Sequence, residues 1–231
     1  MPQRSLSFII TSAGKGLRFG TTKNGKQFEL INDIPVFIYS LKVISEIKNK
    51  TETILTIDKS VKVAYVQRLL RKYSLDTNIT ICSGGPSRAQ SVFNGFKKIK
   101  RNNGYVIVHD AVRPNLNLKQ INKMIKLIGN FSGIILASKV HDTIKRIKNS
   151  KSISNTINRD SLWVSETPQI FKYAALKKCY ENDKRFTQYT DESELLEKNG
   201  FKVRVFENDG YNNKITTKKD LRMYELLLKN V

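Results

Sequence analysis

Leu6-Ser7-Phe8-Ile9-Ile10-Thr11-Ser12-Ala13-Gly14-Lys15-Gly16-Leu17-Arg18-Phe19-Gly20 sets an apolar run directly before a glycine-rich turn. Leu6–Thr11 reads as a strand. Closely spaced glycines after it let backbone amides approach phosphate oxygens. Outward from this βα turn the chain alternates. Helical periodicity covers Pro35–Ile47, Val61–Tyr73, Ser87–Ile99 and Leu118–Ile128, and β-rich runs cover Thr53–Ile57, Asn78–Cys82, Tyr105–His109 and Gly133–Ala137. In Ser87–Ile99 the apolar residues Ala89, Val92, Phe93, Phe96 and Ile99 share one helical face. Such alternation predicts an α/β fold, a mainly parallel sheet covered by helices, with ligands at the carboxyl ends of the strands.

The alternation breaks after Ala137. Val140–Ile147 and Ile153–Arg159 alternate apolar with polar residues around a polar turn at 148–152, a hairpin pattern. The pattern fits both an arm that projects and a hairpin lying flat on the domain. Beyond it, Tyr173–Glu181 and Asp191–Lys198 read as helices, Lys202–Phe206 as a strand, and a last helix follows, with Thr217 and Asp220 spaced as a capping box. No internal repeat or interdomain linker appears, so one domain is expected over 1–231, with the hairpin inserted at 138–160.

At 231 residues the chain is long enough to bury a substantial core. It carries 41 Lys+Arg against 20 Asp+Glu, a net charge of +21, with 39% hydrophobic residues. That hydrophobic content argues against disorder. Nucleic-acid binding is one reading of the charge. However, the lysines are scattered in short clusters such as Lys97-Lys98 and Lys218-Lys219. A lysine-rich bias over solvated faces, with part of the charge serving anionic small substrates, accounts better for that spread. No apolar run is long enough for a membrane span, and Leu6–Ile10 is too short for a signal-peptide core. Two cysteines, Cys82 and Cys179, lack metal-like neighbours. A cytoplasmic protein with no nucleic-acid or membrane partner is expected.

Three constellations carry chemistry. The first is the glycine-rich turn with Arg18 and Lys26. A dinucleotide fingerprint fails because Phe19 stands where its third glycine belongs. Gly20–Lys26 spells G-x-x-x-x-G-K, but Gln27 replaces the magnesium-holding Ser/Thr and the match lies well past the strand. What remains is two cations eight residues apart. They either reach one polyphosphate or sit exposed in a loop, and their place after strand one favours the former. The second is Ser83-Gly84-Gly85-Pro86-Ser87-Arg88 before Ser91, which joins a strand to a helix. Alone it reads equally as an anion site at a helix N-terminus or as a turn with an N-cap serine. The third is His109-Asp110-Ala111-Val112-Arg113, where an apolar strand delivers Asp110 at its carboxyl end. Asp110 serves a ligand or magnesium, or pairs structurally with Arg113. His109 reads as a packing residue, and two histidines without G-x-S-x-G give a serine hydrolase little support.

These segments, in this order, resemble the 2-C-methyl-D-erythritol 4-phosphate cytidylyltransferase family of the non-mevalonate isoprenoid pathway. His141-Asp142-Thr143, Asn158-Arg159, Thr167-Pro168-Gln169, Thr190-Asp191-Glu192 and Asn212-Asn213-Lys214 extend the match to about residues 5–225. The resemblance implies a Rossmann-like three-layer nucleotidyltransferase fold with a projecting β-hairpin arm. It also implies a homodimer built through that arm, and transfer of CMP from CTP with release of pyrophosphate. Carried over by motif position, Arg18 and Lys26 would stabilise the transition state, and Arg159 and Lys214 would hold the substrate phosphate. Asp110, Arg113, Thr143 and Thr167 would line the erythritol site, and Ala13, Gly14, Gly16, Gly84, Arg88 and Ser91 would contact CTP. Mg2+ would be bound mainly through the CTP phosphates, with no protein metal ligand assigned.

The chain departs from the family pattern at Gly25, where proline is usual, and at Thr11-Ser12, Pro86 and Asn213. The related ribitol 5-phosphate cytidylyltransferases share the glycine-rich turn, the His-Asp-Ala segment and Thr-Pro-Gln. The Thr190–Ser193 segment followed by Asn199-Gly200-Phe201 leans toward the erythritol enzymes. Some members are fused to the next pathway enzyme, and no second catalytic domain is expected in these 231 residues.

Overall fold

Seven strands form one sheet in the order β11-β7-β10-β6-β1-β4-β5. They are β1 (Leu6–Ser12), β4 (Lys50–Ile57), β5 (Ile79–Ser83), β6 (Tyr105–Asp110), β7 (Gly133–Lys139), β10 (Trp163–Lys172) and β11 (Val203–Glu207). All neighbours pair in parallel except β10, which runs antiparallel to both β6 and β7. The computed structural model describes residues 5–14, 16, 18–20, 22, 24–47, 50–75, 78–100, 102–148 and 151–228. Lys15 and Leu17 of the glycine-rich turn and Asn149-Ser150 of the hairpin turn lie outside the described residues.

The pleat sorts the strand residues to two faces. Phe8, Ile10, Leu55, Ile107, Ile134 and Leu136 pack under α1 (Val36–Ser45), α2 (Val63–Lys72) and α4 (Leu118–Leu127). Their neighbours Ile9, Val106, Val108, Ile135 and Phe171 pack under α3 (Arg88–Phe96), α5 (Tyr173–Asn182) and α6 (Glu192–Lys198). Both faces are covered, which is why the central strands read as unbroken apolar runs. The result is the three-layer α/β arrangement the alternation predicts. Each large side chain buried here contributes roughly 1.5–3 kcal/mol. Gly95 lets α3 close onto the sheet, since a Cβ there would lie 2.7 Å from Ile9. A third cluster, Phe19, Ile31, Val36, Val112, Ile215 and Tyr224, docks α7 (Lys218–Leu227) beside the glycine-rich turn. The capping box opening α7 is formed: Thr217 Oγ1 accepts from Asp220 N–H and Asp220 accepts from Thr217 N–H.

Two features differ from the periodicity reading. First, β10 occupies a central position that the alternation does not reveal. Pro168 stands inside it, following a cis Thr167–Pro168 bond. The pairing to β7 shifts between Ser165 and Gln169. Proline cannot donate to the ladder and is tolerated at such a bulge, so the segment does not read as a strand. Second, the hairpin strands are shorter than the alternation suggests: β8 spans Ile144–Ile147 and β9 spans Ile153–Ile157. The hairpin projects. It forms a separate two-stranded sheet, and Ile147 and Ile153 are 53% and 61% exposed. β7 and β10 pair up to Lys139 and Trp163, so the arm leaves the end of their ladder. A smaller hairpin, β2 (Leu30–Ile31) with β3 (Ile34–Pro35), precedes α1.

Candidate active site

A cleft of about 620 Å³ opens at the carboxyl ends of β1, β4, β5 and β6, where a parallel sheet of this kind is expected to bind ligands. Its lining includes Ala13, Gly14, Gly16, Arg18, Lys26, Arg88, Ser91, Asp110 and Lys214. Residues drawn from four separate sequence segments therefore meet at one place.

The β5–α3 loop forms one wall. Gly84 packs against β1, since a Cβ there would lie 2.3 Å from Ala13 Cβ and 3.3 Å from the Ile57 carbonyl. Ser87 caps α3 by accepting from Gln90 N–H. The Ser91 hydroxyl accepts from Gly85 N–H at 3.0 Å and donates to the Ser87 carbonyl at 2.9 Å. Ser91 thus shapes a loop whose residues Gly85, Pro86 and Ser87 line the cleft.

Gly25 explains its own departure from proline. Its φ of 96° is left-handed, which proline cannot adopt. That turn starts the short 3-10 helix Lys26–Phe28 and sends Lys26 under Gly16, where a Cβ would lie 3.3 Å from Lys26 Cγ. Gln27 anchors the same turn by donating to the Ser12 carbonyl at 2.7 Å.

Among the described residues, four cations border the cleft. Arg18 is exposed at its lip. Lys26 is buried and donates to the Ile215 carbonyl at 2.6 Å. Burial pushes its pKa down to about 8, and the nearby charges of Lys214 and Arg18 push the same way. Lys214 donates to Asp110 Oδ2 at 2.6 Å. Arg88 donates from Nε to Asp110 Oδ1 at 3.0 Å and from Nη1 to Glu192 Oε2 at 2.8 Å. Burial works to raise the Asp110 carboxyl, but Arg88 and Lys214 hold it well below its ordinary value. Asp110 is thus an anion that spaces cations around the cleft floor, and its partner is not Arg113.

Arg113 and Thr167 lie behind this floor, outside the cleft lining. Arg113 is buried, donates to the Asn212 carbonyl at 2.5 Å and sits 3.9 Å from Glu166. Thr167 Oγ1 accepts from Asp110 N–H at 3.1 Å, so its own proton goes to His109 Nδ1 at 3.1 Å. His109 Nε2 then carries the ring proton and donates to the Arg113 carbonyl at 3.0 Å. Burial pushes this imidazole down to about 4, so it is neutral at pH 7. His109 is a packing and hydrogen-bonding residue, in line with the sequence reading.

Thr143 and Arg159 are exposed on the arm, outside the cleft lining. Arg159 donates to the His141 carbonyl within the arm. Glu166 and Glu192, both buried, were missed as site residues. Glu192 carries a faint signal, because it follows Asp191, the N-cap of α6. Glu166 sits in the irregular part of β10, where no periodicity marks it.

The sequence profile of the 2-C-methyl-D-erythritol 4-phosphate cytidylyltransferases matches residues 6–230. The protein of that name from Dictyoglomus thermophilum is 34% identical over 224 residues, covering 95% of this chain and 95% of its own. One from Clostridium novyi is 33% identical over 225 residues, covering 96% of each. Among solved structures, the 4-diphosphocytidyl-2C-methyl-D-erythritol synthase of Anaerococcus prevotii superposes with a TM-score of 0.80 at 30% identity, covering 98% of this chain and 99% of that one. Agreement over nearly the full length of both partners, in sequence and in fold, makes the chain a member of the 2-C-methyl-D-erythritol 4-phosphate cytidylyltransferase family.

Proposed function

We infer that the protein transfers CMP from CTP to 2-C-methyl-D-erythritol 4-phosphate in isoprenoid precursor synthesis. The observation that carries this reading is the convergence of Lys26, Arg88 and Lys214 on one cleft at the carboxyl ends of parallel strands, with Arg18 at its lip. A substrate phosphate oxygen attacks the α-phosphorus of CTP. The bond to the bridging oxygen breaks, and pyrophosphate leaves with the electron pair. The nucleophile is already an anion, so no general base is required, which fits a neutral buried His109. The barrier lies in bringing two polyanions together, and pre-aimed cations lower it. In this reading Arg18 and Lys26 meet the α-phosphate, while Lys214 and Arg159 hold the substrate phosphate. Ala13, Gly14, Gly16, Gly84 and Ser91 shape the CTP wall. Arg88, which lines the cleft and is held by Asp110 and Glu192, adds a fixed positive charge beside the nucleotide.

Among the described residues no group of three or more His, Cys, Asp or Glu is placed to hold a metal ion. Asp110, the carboxylate at the cleft floor, already accepts from Thr11, Arg88 and Lys214. In this reading magnesium would travel with CTP, neutralise phosphate charge and take most of its ligands from the phosphate oxygens. Among the described residues no helix is long and apolar enough to cross a membrane. Two free cysteines support a reducing cytosol as the compartment. We take the arm, exposed on both faces, to join two copies of the chain, so that Thr143 and Arg159 complete the site of the other subunit.

Pyrophosphate release, crossing CTP, ATP and UTP with methylerythritol phosphate and ribitol 5-phosphate, tests the assignment. Turnover is expected with CTP and methylerythritol phosphate. Equal or better turnover with ribitol 5-phosphate would move the chain to the sister activity.

The depressed Lys26 pKa gives a pH signature. Below about 8 the free protein holds Lys26 charged. Only the charged form can stabilise the negative charge that develops at the α-phosphate, so turnover is fully supported below that pH and weakens as pH rises through it. kcat/KM for CTP should stay level up to about pH 7, be halved near pH 8 and fall steeply toward pH 9.5. Lys26→Arg, which cannot lose its charge there, should flatten the profile. An identical fall in the arginine variant would assign the titration to another group.

A further inference from the structure

The bulge in β10 turns Glu166 into a buried cluster that no ligand contact explains. Its carboxylate accepts from Ser138 Oγ on β7 at 2.5 Å, from Asn212 Nδ2 at 2.7 Å and from Asn208 Nδ2 at 3.0 Å, with the Arg113 guanidinium 3.9 Å away. Asn208 and Asn212 lie in the segment between β11 and α7, which continues through Asn213 to Lys214 and Ile215. Ile215 in turn offers its carbonyl to Lys26. Asn212 spans the cluster, donating also to the Thr167 carbonyl at 2.9 Å and accepting from Arg113.

We propose that Glu166 is a positioning residue for Lys214. The carboxylate gathers two side-chain amides from the segment before Lys214 and fixes them to the sheet. The lysine then starts from a held backbone when it meets a phosphate. A side chain misplaced by about 1 Å can cost on the order of 10²-fold in rate, so a buried anchor two residues from a reacting cation has leverage. The segment is also tied by Asn208 N–H to the Ala137 carbonyl and Ile215 N–H to the Val112 carbonyl, by Gln120 on the Asn208 and Asp209 side-chain oxygens, by Asn115 on the Tyr211 carbonyl and by Tyr224 on the Asn213 carbonyl. If these suffice, Glu166 is dispensable for substrate affinity. The inference rests on the reading that Lys214 binds the substrate phosphate.

The test is steady-state kinetics on Glu166→Ala, Glu166→Gln, Lys214→Ala and Glu166→Ala/Lys214→Ala, with thermal melting of each. Glu166→Ala should raise KM for methylerythritol phosphate about ten- to hundredfold and leave KM for CTP within about twofold. Glu166→Gln should recover most of that loss. Its amide oxygen can still accept from both asparagines, and the Ser138 hydroxyl can turn to accept from its amide nitrogen. In the double variant, loss of Glu166 should add less than about twofold to the loss from Lys214→Ala, because both act through one group. Where Glu166→Ala fails to fold, Asn208→Ala takes its place in the same cycle with a smaller rise in the same constant. Additive losses, or a Glu166→Ala protein with unchanged KM for the erythritol substrate, would overturn the proposal. An unchanged KM in Lys214→Ala would instead remove the phosphate-binding role of the lysine.

Discussion

Replacing Lys26 by methionine or Arg18 by alanine is expected to lower kcat about 10²- to 10³-fold, the scale found when one transition-state charge donor is removed. KM for CTP should change much less. The expectation for Lys26 rests on how it is held. Its amine is buried under Gly16, with one backbone acceptor, the Ile215 carbonyl, and the cations Lys214 and Arg18 nearby. Such a group is poorly solvated before any ligand arrives. It gains most when negative charge develops at the α-phosphate. The same burial makes Lys26 a burden on the fold. Its folded pKa of about 8 lies below the ordinary 10.5, so the unfolded chain binds the proton more tightly and stability rises with pH across that window. Lys26→Met should therefore melt at or above the wild-type temperature at pH 7 while losing activity. Unchanged kcat with a raised KM would reassign the lysine to uniform binding. Lost activity with a lower melting temperature would point to damage of the loop rather than of the chemistry.

What the sequence made legible follows its physics. Parallel strands buried on both faces leave unbroken apolar runs such as Tyr105–Val108, and the helices between them keep a clear face. Their order alone puts the glycine-rich turn, the β5–α3 loop and Asp110 at one edge of the sheet. The capping box at Thr217 is a local motif, so it is visible locally. β10 is different, because Pro168 and the shifted register erase its alternation. Glu166 is hidden for the same reason, since its partners Ser138, Asn208 and Asn212 come from elements far away in the chain. Arg113 matches its motif position but is turned away from the cleft. The Asn212 carbonyl and Glu166 that take its guanidinium lie 99 and 53 positions further along. No short pattern encodes that. Gly25 reads in sequence only as a departure from the usual proline, yet its left-handed φ shows a glycine used to aim Lys26.

A mixture of Arg159→Ala and Lys214→Ala chains is expected to be more active than either variant alone. Arg159 and Thr143 sit on an arm whose strands expose Ile147 and Ile153 to solvent, while Lys214 lies in the cleft of the main body. These two residues stand opposite each other on the ribbon, and such free β-branched side chains gain stability when a second surface covers them. Taken as a clasp between two copies, the arm of one subunit brings its Arg159 to the other subunit's Lys214. Each homodimeric variant then lacks one charge-assisted partner of the substrate phosphate, a loss of roughly 1.5–3 kcal/mol, or about ten- to hundredfold in affinity. In a heterodimer one site keeps the intact Lys214 of one chain and the intact Arg159 of the other, and the second site loses both. Equal amounts of freely exchanging chains give half heterodimers, so the mixture should reach about a quarter of wild-type activity at substrate well below KM. Subunit exchange is verified first, with two differently tagged chains. Activity no higher than the mean of the two variants, or a fully active monomer by sedimentation, would remove the shared site. The Lys26 and Arg18 chemistry would stand, because those two residues and the cleft belong to a single chain.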